Sequence, residues 1–142
     1  MKRQGVINQP LSAALAGLGH GDYFLLCDAG FPIPKHVERI DLALAFNVPN
    51  MKQCLKAILD EIVVEKVIYA EEMSQYNEES AAYIHEIFKN QQVKQIPHSE
   101  LVELASNAKF ILRSGETGFY SNLILEAASG VEQYKKSLII DL

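Results

Sequence analysis

The sequence predicts an α/β domain, and three observations carry that expectation. Apolar runs rich in β-branched and aromatic residues, such as Tyr23–Cys27 and Val63–Ala70, alternate with stretches whose apolar positions recur at helical spacing. The chain has 142 residues, the length of one ordinary domain, and no shift of composition divides it. Hydrophobic residues make up 49% of it, enough to build a core without disulfide or metal staples.

The elements follow in chain order. Leu11, Ala14, Leu15 and Leu18 stand at i, i+3, i+4, i+7, which predicts an amphipathic helix over residues 10–18. Asn8 or Gln9 opens it, Pro10 sits in its first turn and Gly19 ends it. The basic start Met1-Lys2-Arg3 ahead of this apolar run imitates a secretory leader. The polar break at Gln4, Asn8 and Gln9 argues for a structural helix instead. Residues 23–27 read as a buried strand running into the loop Asp28-Ala29-Gly30 and a proline-rich turn through Pro32 and Pro34. Alternation over 39–44 predicts a half-buried strand. A helix over 51–61 follows, with Asn50 as its N-cap and Met51, Leu55, Ile58, Leu59 and Ile62 on one face.

Residues 63–70 form the next strand, and a polar helix over 77–90 turns Ala81, Ile84, Ile87 and Phe88 inward. A short strand at 93–96 leads through Pro97-His98 into a helix at 99–106. A strand at 109–113, a polar loop at 114–118 and a last strand from 121 to 125 complete the core.

Charge excludes two classes of partner. Lys and Arg number 13 against 18 Asp and Glu, a formal net charge of −5, and no basic run stands out. Nucleic acid and anionic membrane surfaces both reward clustered cations, so neither is expected as a partner. No stretch approaches the ~20 apolar residues of a membrane-spanning helix. Cys27 and Cys54 form no CxxC pair and lie in apolar surroundings, which suits buried thiols.

Chemistry-bearing residues gather where elements give way to loops. Gly19-His20-Gly21-Asp22 sets a histidine, which titrates near neutrality, between glycines that permit unusual backbone angles. Read alone, His20 is more readily a helix C-cap than a proton carrier. Asp28 ends a buried strand, where open α/β sheets bind ligands, and its carboxylate can accept hydrogen bonds from two hydroxyls or simply start an Asx turn. His98 follows Pro97 at a helix start, the position of an ordinary capping residue. The loop from Arg113 to Asn122 lacks the GK[ST] ending of a phosphate-binding loop. Its Tyr120 and Asn122 suit hydroxyl recognition better. His20, Asp28, His98 and Glu116 include the residue types of a metal site, but no ligand spacing such as HExxH supports one.

Taken together, these segments resemble the D-ribose pyranase family, related to fucose mutarotase. Leu18-Gly19-His20-Gly21-Asp22, Asp28-Ala29-Gly30-Phe31-Pro32-Ile33-Pro34 and Arg39-Ile40-Asp41-Leu42-Ala43-Leu44 follow the family's order and spacing. So do Ala70-Glu71-Glu72, Pro97-His98-Ser99-Glu100 and the loop from Arg113 to Asn122. The match covers residues 1–131, leaving 132–142 as a C-terminal extension. The resemblance implies a single-domain three-layer α/β/α sandwich with a mixed central sheet. It implies a cofactor-independent, metal-free isomerase interconverting the pyranose and furanose forms of D-ribose, in support of ribose catabolism. His20 would be its catalytic acid–base residue, and Asp28, His98, Tyr120, Ser121 and Asn122 would bind the sugar. Family members are cytoplasmic homo-oligomers, pentamers or decamers, with active sites at subunit contacts.

Two features depart from the family's pattern. Phe119 stands where a proline usually precedes the tyrosine, and the chain continues past Gly130-Val131. The neighbouring readings are an L-fucose mutarotase, against which Gly30 and Pro32-Ile33-Pro34-Lys35 argue, and a sugar-binding or scaffold protein that has no catalysis.

Overall fold

A computed structural model describes residues 1–134; the part of the extension from 135 to 142 lies outside the described residues. Its strands are β1 (Tyr23–Cys27), β2 (Arg39–Asp41), β3 (Val63–Ala70), β4 (Gln92–Ile96), β5 (Ile111–Arg113) and β6 (Leu123–Ala128). Its helices are α1 (Gln9–Ala16), α2 (Met51–Leu59), α3 (Glu71–Tyr76), α4 (Glu78–Ile87) and α5 (His98–Ala105), and a 3₁₀ turn spans Val131–Tyr134. The strands form one mixed six-stranded sheet in the order β2-β5-β1-β6-β3-β4.

In that sheet β1, β2 and β5 pair in parallel, as do β3 and β4, and only β6 runs antiparallel to its neighbours β1 and β3. The carboxyl ends of the other five strands therefore share one edge with the amino end of β6. That edge collects the loops after β1, β4 and β5 and the residues before β6.

Alternation along the strands divides the core in two. Phe24, Leu26, Val67, Tyr69, Leu123 and Leu125 face α1, α2 and α4, whose Leu11, Leu15, Leu55, Ile58 and Ile84 are buried against them. Leu25, Cys27, Ile68, Ile111 and Ile124 face the other way, onto Leu101 and Ala105 of α5 and onto Phe31. The three-layer sandwich is thus uneven, with α1, α2, α4 and, through Met73, the short α3 on one face and α5 plus a loop on the other. The two thiols lie in different halves of it, Cys27 under α5 and Cys54 in α2, both free and buried. Burial pushes the Cys54 thiol up to about 11 and Cys27 further still.

The local signals worked where side chains meet their own backbone. Asn8 accepts from the Leu11 amide at 3.0 Å and opens α1. Asn50 and Gln53 form a reciprocal capping box on α2.

Four expectations need correction. The strand foreseen at 39–44 ends at Asp41, because β5 is only three residues long and Ser114 leaves it to bond Cys27 O. Leu44 and Ala45 instead donate to Val48 O in a tight turn, leaving Leu44 and Phe46 exposed. The last strand starts at Leu123 and not at 121, because the turn closed by Asn122 N–H on Tyr120 O displaces it. The strand at 109–113 is regular only from Ile111. Finally, residues 71–76, to which the sequence pattern assigns no element, form a helix, α3.

Candidate active site

The carboxyl edge of the sheet carries a cavity of about 410 Å³, within the ~300–1,000 Å³ common for small-molecule sites. Asp28, Phe31, His98, Tyr120 and Asn122 line it, with Glu116, Gly118 and the exposed rings of Phe46 and Phe119 around its mouth. Four of the residues singled out from the sequence thus meet in one place.

Asp28 and Asn122 form its floor. The Asp28 amide donates to Asn122 Oδ1 at 2.9 Å, and Asn122 Nδ2 donates back to Asp28 Oδ2 at 3.2 Å. Asp28 Oδ1 accepts from the Gly30 amide at 2.9 Å, the Asx turn anticipated for this loop. Burial raises the Asp28 pKa above its ordinary value, against the lowering pull of these hydrogen bonds and of nearby His98. Asn122 is buried, so its amide orientation is set by Asp28 before any ligand arrives.

His98 and Tyr120 form one wall. Their rings meet edge to face with centroids 5.1 Å apart, and Phe31 flanks His98 in the same manner at 6.2 Å. The His98 amide, at the first turn of α5, donates to Glu72 Oε2 at 2.9 Å. Pro97 supplies no side-chain cap, so the carboxylate that satisfies this helix start comes from α3. Nδ1 of His98 is buried without a protein partner. Tyr120 adopts a φ of 54°, a left-handed conformation that costs a bulky side chain about 1–3 kcal/mol.

The loop after β5 is held by Glu116. Its Oε2 accepts from the Met51 amide at the start of α2, and its Oε1 from the amides of Thr117 and Gly118. Gly115 is required here: a Cβ would meet Ala45 O at 2.3 Å and Val48 N at 2.7 Å. Sequence reasoning gave Glu116 no part in the site beyond the metal alternative. Its spacing from Asn50-Met51 carried no local signal.

Two expected residues lie elsewhere. Ser121 is buried and points away from the cavity, its Oγ accepting from Asn77 Nδ2 at 3.1 Å. It supports the loop and does not line the site. His20 lies at the opposite edge of the sheet, in the turn before β1. The five-residue strand alone puts roughly 17 Å between the two edges. There His20 is exposed, its Nδ1 accepts from the Ser129 amide at 3.2 Å, and its Nε2 lies 3.9 Å from Glu65 Oε1. Asp22 organises the turn by accepting from the Gly19 amide at 2.7 Å and pairing with Lys109 at 3.0 Å, and both contacts lower its pKa. The four candidate metal ligands are therefore not assembled in one chain. Among the described residues no group of three His, Cys, Asp or Glu is placed to hold a metal ion.

Comparison with known proteins agrees with this architecture. A model of the RbsD / FucU transport protein family matches residues 1–131. A D-ribose pyranase 2 from Rubrobacter xylanophilus is 40% identical over 135 residues, covering 94% of this chain and 88% of that protein. Among solved structures, Bacillus subtilis RbsD complexed with D-ribose superposes with a TM-score of 0.87 at 38% identity, covering 90% of this chain and 98% of that one. A fucose mutarotase from Streptococcus pneumoniae in complex with L-fucose shares the fold, with a TM-score of 0.77 at 20% identity, over 90% of this chain and 98% of that one.

Proposed function

The chain belongs to the RbsD / FucU transport protein family, and from that membership we propose that it interconverts the pyranose and furanose forms of D-ribose. The observation that carries the reading is the Asp28–Asn122 pair at the floor of the cavity, a fixed acceptor and donor beside an aromatic wall. Such a site grips neighbouring hydroxyls while offering a flat apolar surface to the sugar's C–H face. No redox centre or covalent nucleophile is required by the reaction.

Ring exchange passes through the open-chain aldehyde. One proton leaves the anomeric hydroxyl and one reaches the ring oxygen, and closure through a different hydroxyl reverses the roles. His20 is the residue we assign to that shuttle, since an imidazole both gives and takes protons; such positioned groups contribute ~10²–10⁴-fold. Asp28, His98, Tyr120 and Asn122 hold the sugar so the aldehyde turns without leaving.

Because His20 and the cavity occupy opposite edges of one sheet, the His20 serving a given cavity comes from a second copy of the chain. The exposed apolar side chains of Phe46 and Phe119 at the cavity mouth, and of Leu44 in the adjoining hollow that Phe46 also lines, support such an association. The assembly is a ring of five, single or stacked, working in the cytoplasm. None of the described helices is long and apolar enough to cross a membrane.

Saturation-transfer NMR on D-ribose and L-fucose is the test. Enhanced exchange between ribose pyranose and furanose signals is expected, and His20→Ala abolishes it while ribose still binds. Exchange of fucose alone would overturn the substrate, and ribose binding without exchange would leave a sugar-binding protein.

A further inference from the structure

Asn77 lies outside the cavity, at the junction of α3 and α4, yet it holds both neighbours of Tyr120. Its Nδ2 donates to Phe119 O at 3.0 Å and to Ser121 Oγ at 3.1 Å. Its Oδ1 accepts from the Ser80 amide and caps α4. One amide group thus ties a helix start to the loop on either side of the strained residue. Gly118 completes the fit, for a Cβ there would come 2.8 Å from Asn77 Nδ2. On the other side of the junction, the Tyr76 ring lies against Tyr120 with centroids 5.9 Å apart.

We infer that Asn77 is the positioning residue for the sugar-binding loop, holding Tyr120 in its left-handed conformation so that its ring stays against His98. Left-handed backbone at a tyrosine persists only where surrounding contacts over-determine it. Here the carbonyl before Tyr120 and the hydroxyl after it are both fixed by the same donor. A proline before the tyrosine would restrict the loop covalently. With Phe119 in that place, the restriction comes from the hydrogen bonds of Asn77. The role rests on the reading of the cavity as the ribose site.

Asn77→Asp separates the loop from the helix cap, because a carboxylate still accepts from Ser80 but cannot donate to Phe119 O. In the full-length protein, ribose binding by calorimetry is expected to weaken about tenfold, the worth of a loop hydrogen bond to a polar partner. The exchange rate at saturating ribose should stay within about twofold, since Asn77 touches no reacting atom. The nuclear Overhauser contact between the Tyr120 and His98 rings should fade in the unliganded protein. Asn77→Ser, which keeps a cap and one donor, is expected to fall between wild type and Asn77→Asp.

Wild-type ribose affinity together with an unchanged ring contact in Asn77→Asp would overturn the assignment. A wild-type protein without ribose exchange would defeat the functional reading instead, and the ring contact would still decide the role of Asn77.

Discussion

Asp28 carries opposite demands. Burial favours its neutral form, whereas recognition of hydroxyls uses the carboxylate as acceptor. Its folded pKa lies above the unfolded one, so its contribution to stability is full below the unfolded value and is lost as pH rises through the folded value. Binding runs the other way. Ribose affinity should fall on acidification at a pH above the ordinary aspartate range, and Asp28→Asn should bind more weakly with a flat profile there. Calorimetric titrations across that range check it, and a pH-independent wild type would remove the carboxylate from the binding role. Asp22, lowered by Gly19 and Lys109, has the opposite sign. Its stabilising contribution is present above its unfolded pKa and lost as pH falls through the folded one. Asp22→Ala should therefore lose that contribution near neutrality, a small loss at so exposed a turn, and slow exchange several-fold by loosening the His20 turn, as saturation-transfer NMR would report.

At the scale of elements, helix starts build this site. The start of α2 is capped by Asn50 and Gln53 and anchors Glu116 through the Met51 amide. The start of α5 presents His98 and is capped by Glu72 of α3, and the start of α4 is capped by Asn77. Asn50→Ala should cost about 1 kcal/mol in urea unfolding, the usual worth of a side-chain N-cap. A larger loss is expected for Gly115→Ala, because its new Cβ would press on backbone atoms of residues 45 and 48, which have no rotamer to yield. Asn50 was readable beforehand because a cap acts three residues along its own chain. Glu72 and Glu116 were not, since each caps a helix far away in sequence. The helix α3 escaped notice because its six residues are too few to show a periodic face.

At the scale of the molecule, one antiparallel strand in the sheet decides where the chemistry lies. It brings residues 120–122 to the edge where β1 and β4 deliver Asp28 and His98, and it leaves His20 beside Ser129 at the other edge. The proposed sharing of a site between copies makes a prediction that no single-chain site would. His20→Ala and Asn122→Ala proteins, each inactive alone, should recover part of the ribose exchange when refolded together, because some cavities then pair an intact floor with an intact histidine. Absence of any recovery in mixtures that co-assemble by light scattering would place the proton shuttle within one chain.

What the sequence by itself determined is the class of fold, the order and approximate bounds of most elements, and the residue types of the site. Those follow from patterns repeated every two or three to four residues and from motifs carried on short segments. The tertiary structure alone decided which of those motifs meet. Asp28, His98, Tyr120 and Asn122 converge, Ser121 turns into the loop's own support, and His20 stands a strand's length away. Strand direction within a sheet is settled by pairing between distant segments, and no local pattern encodes it.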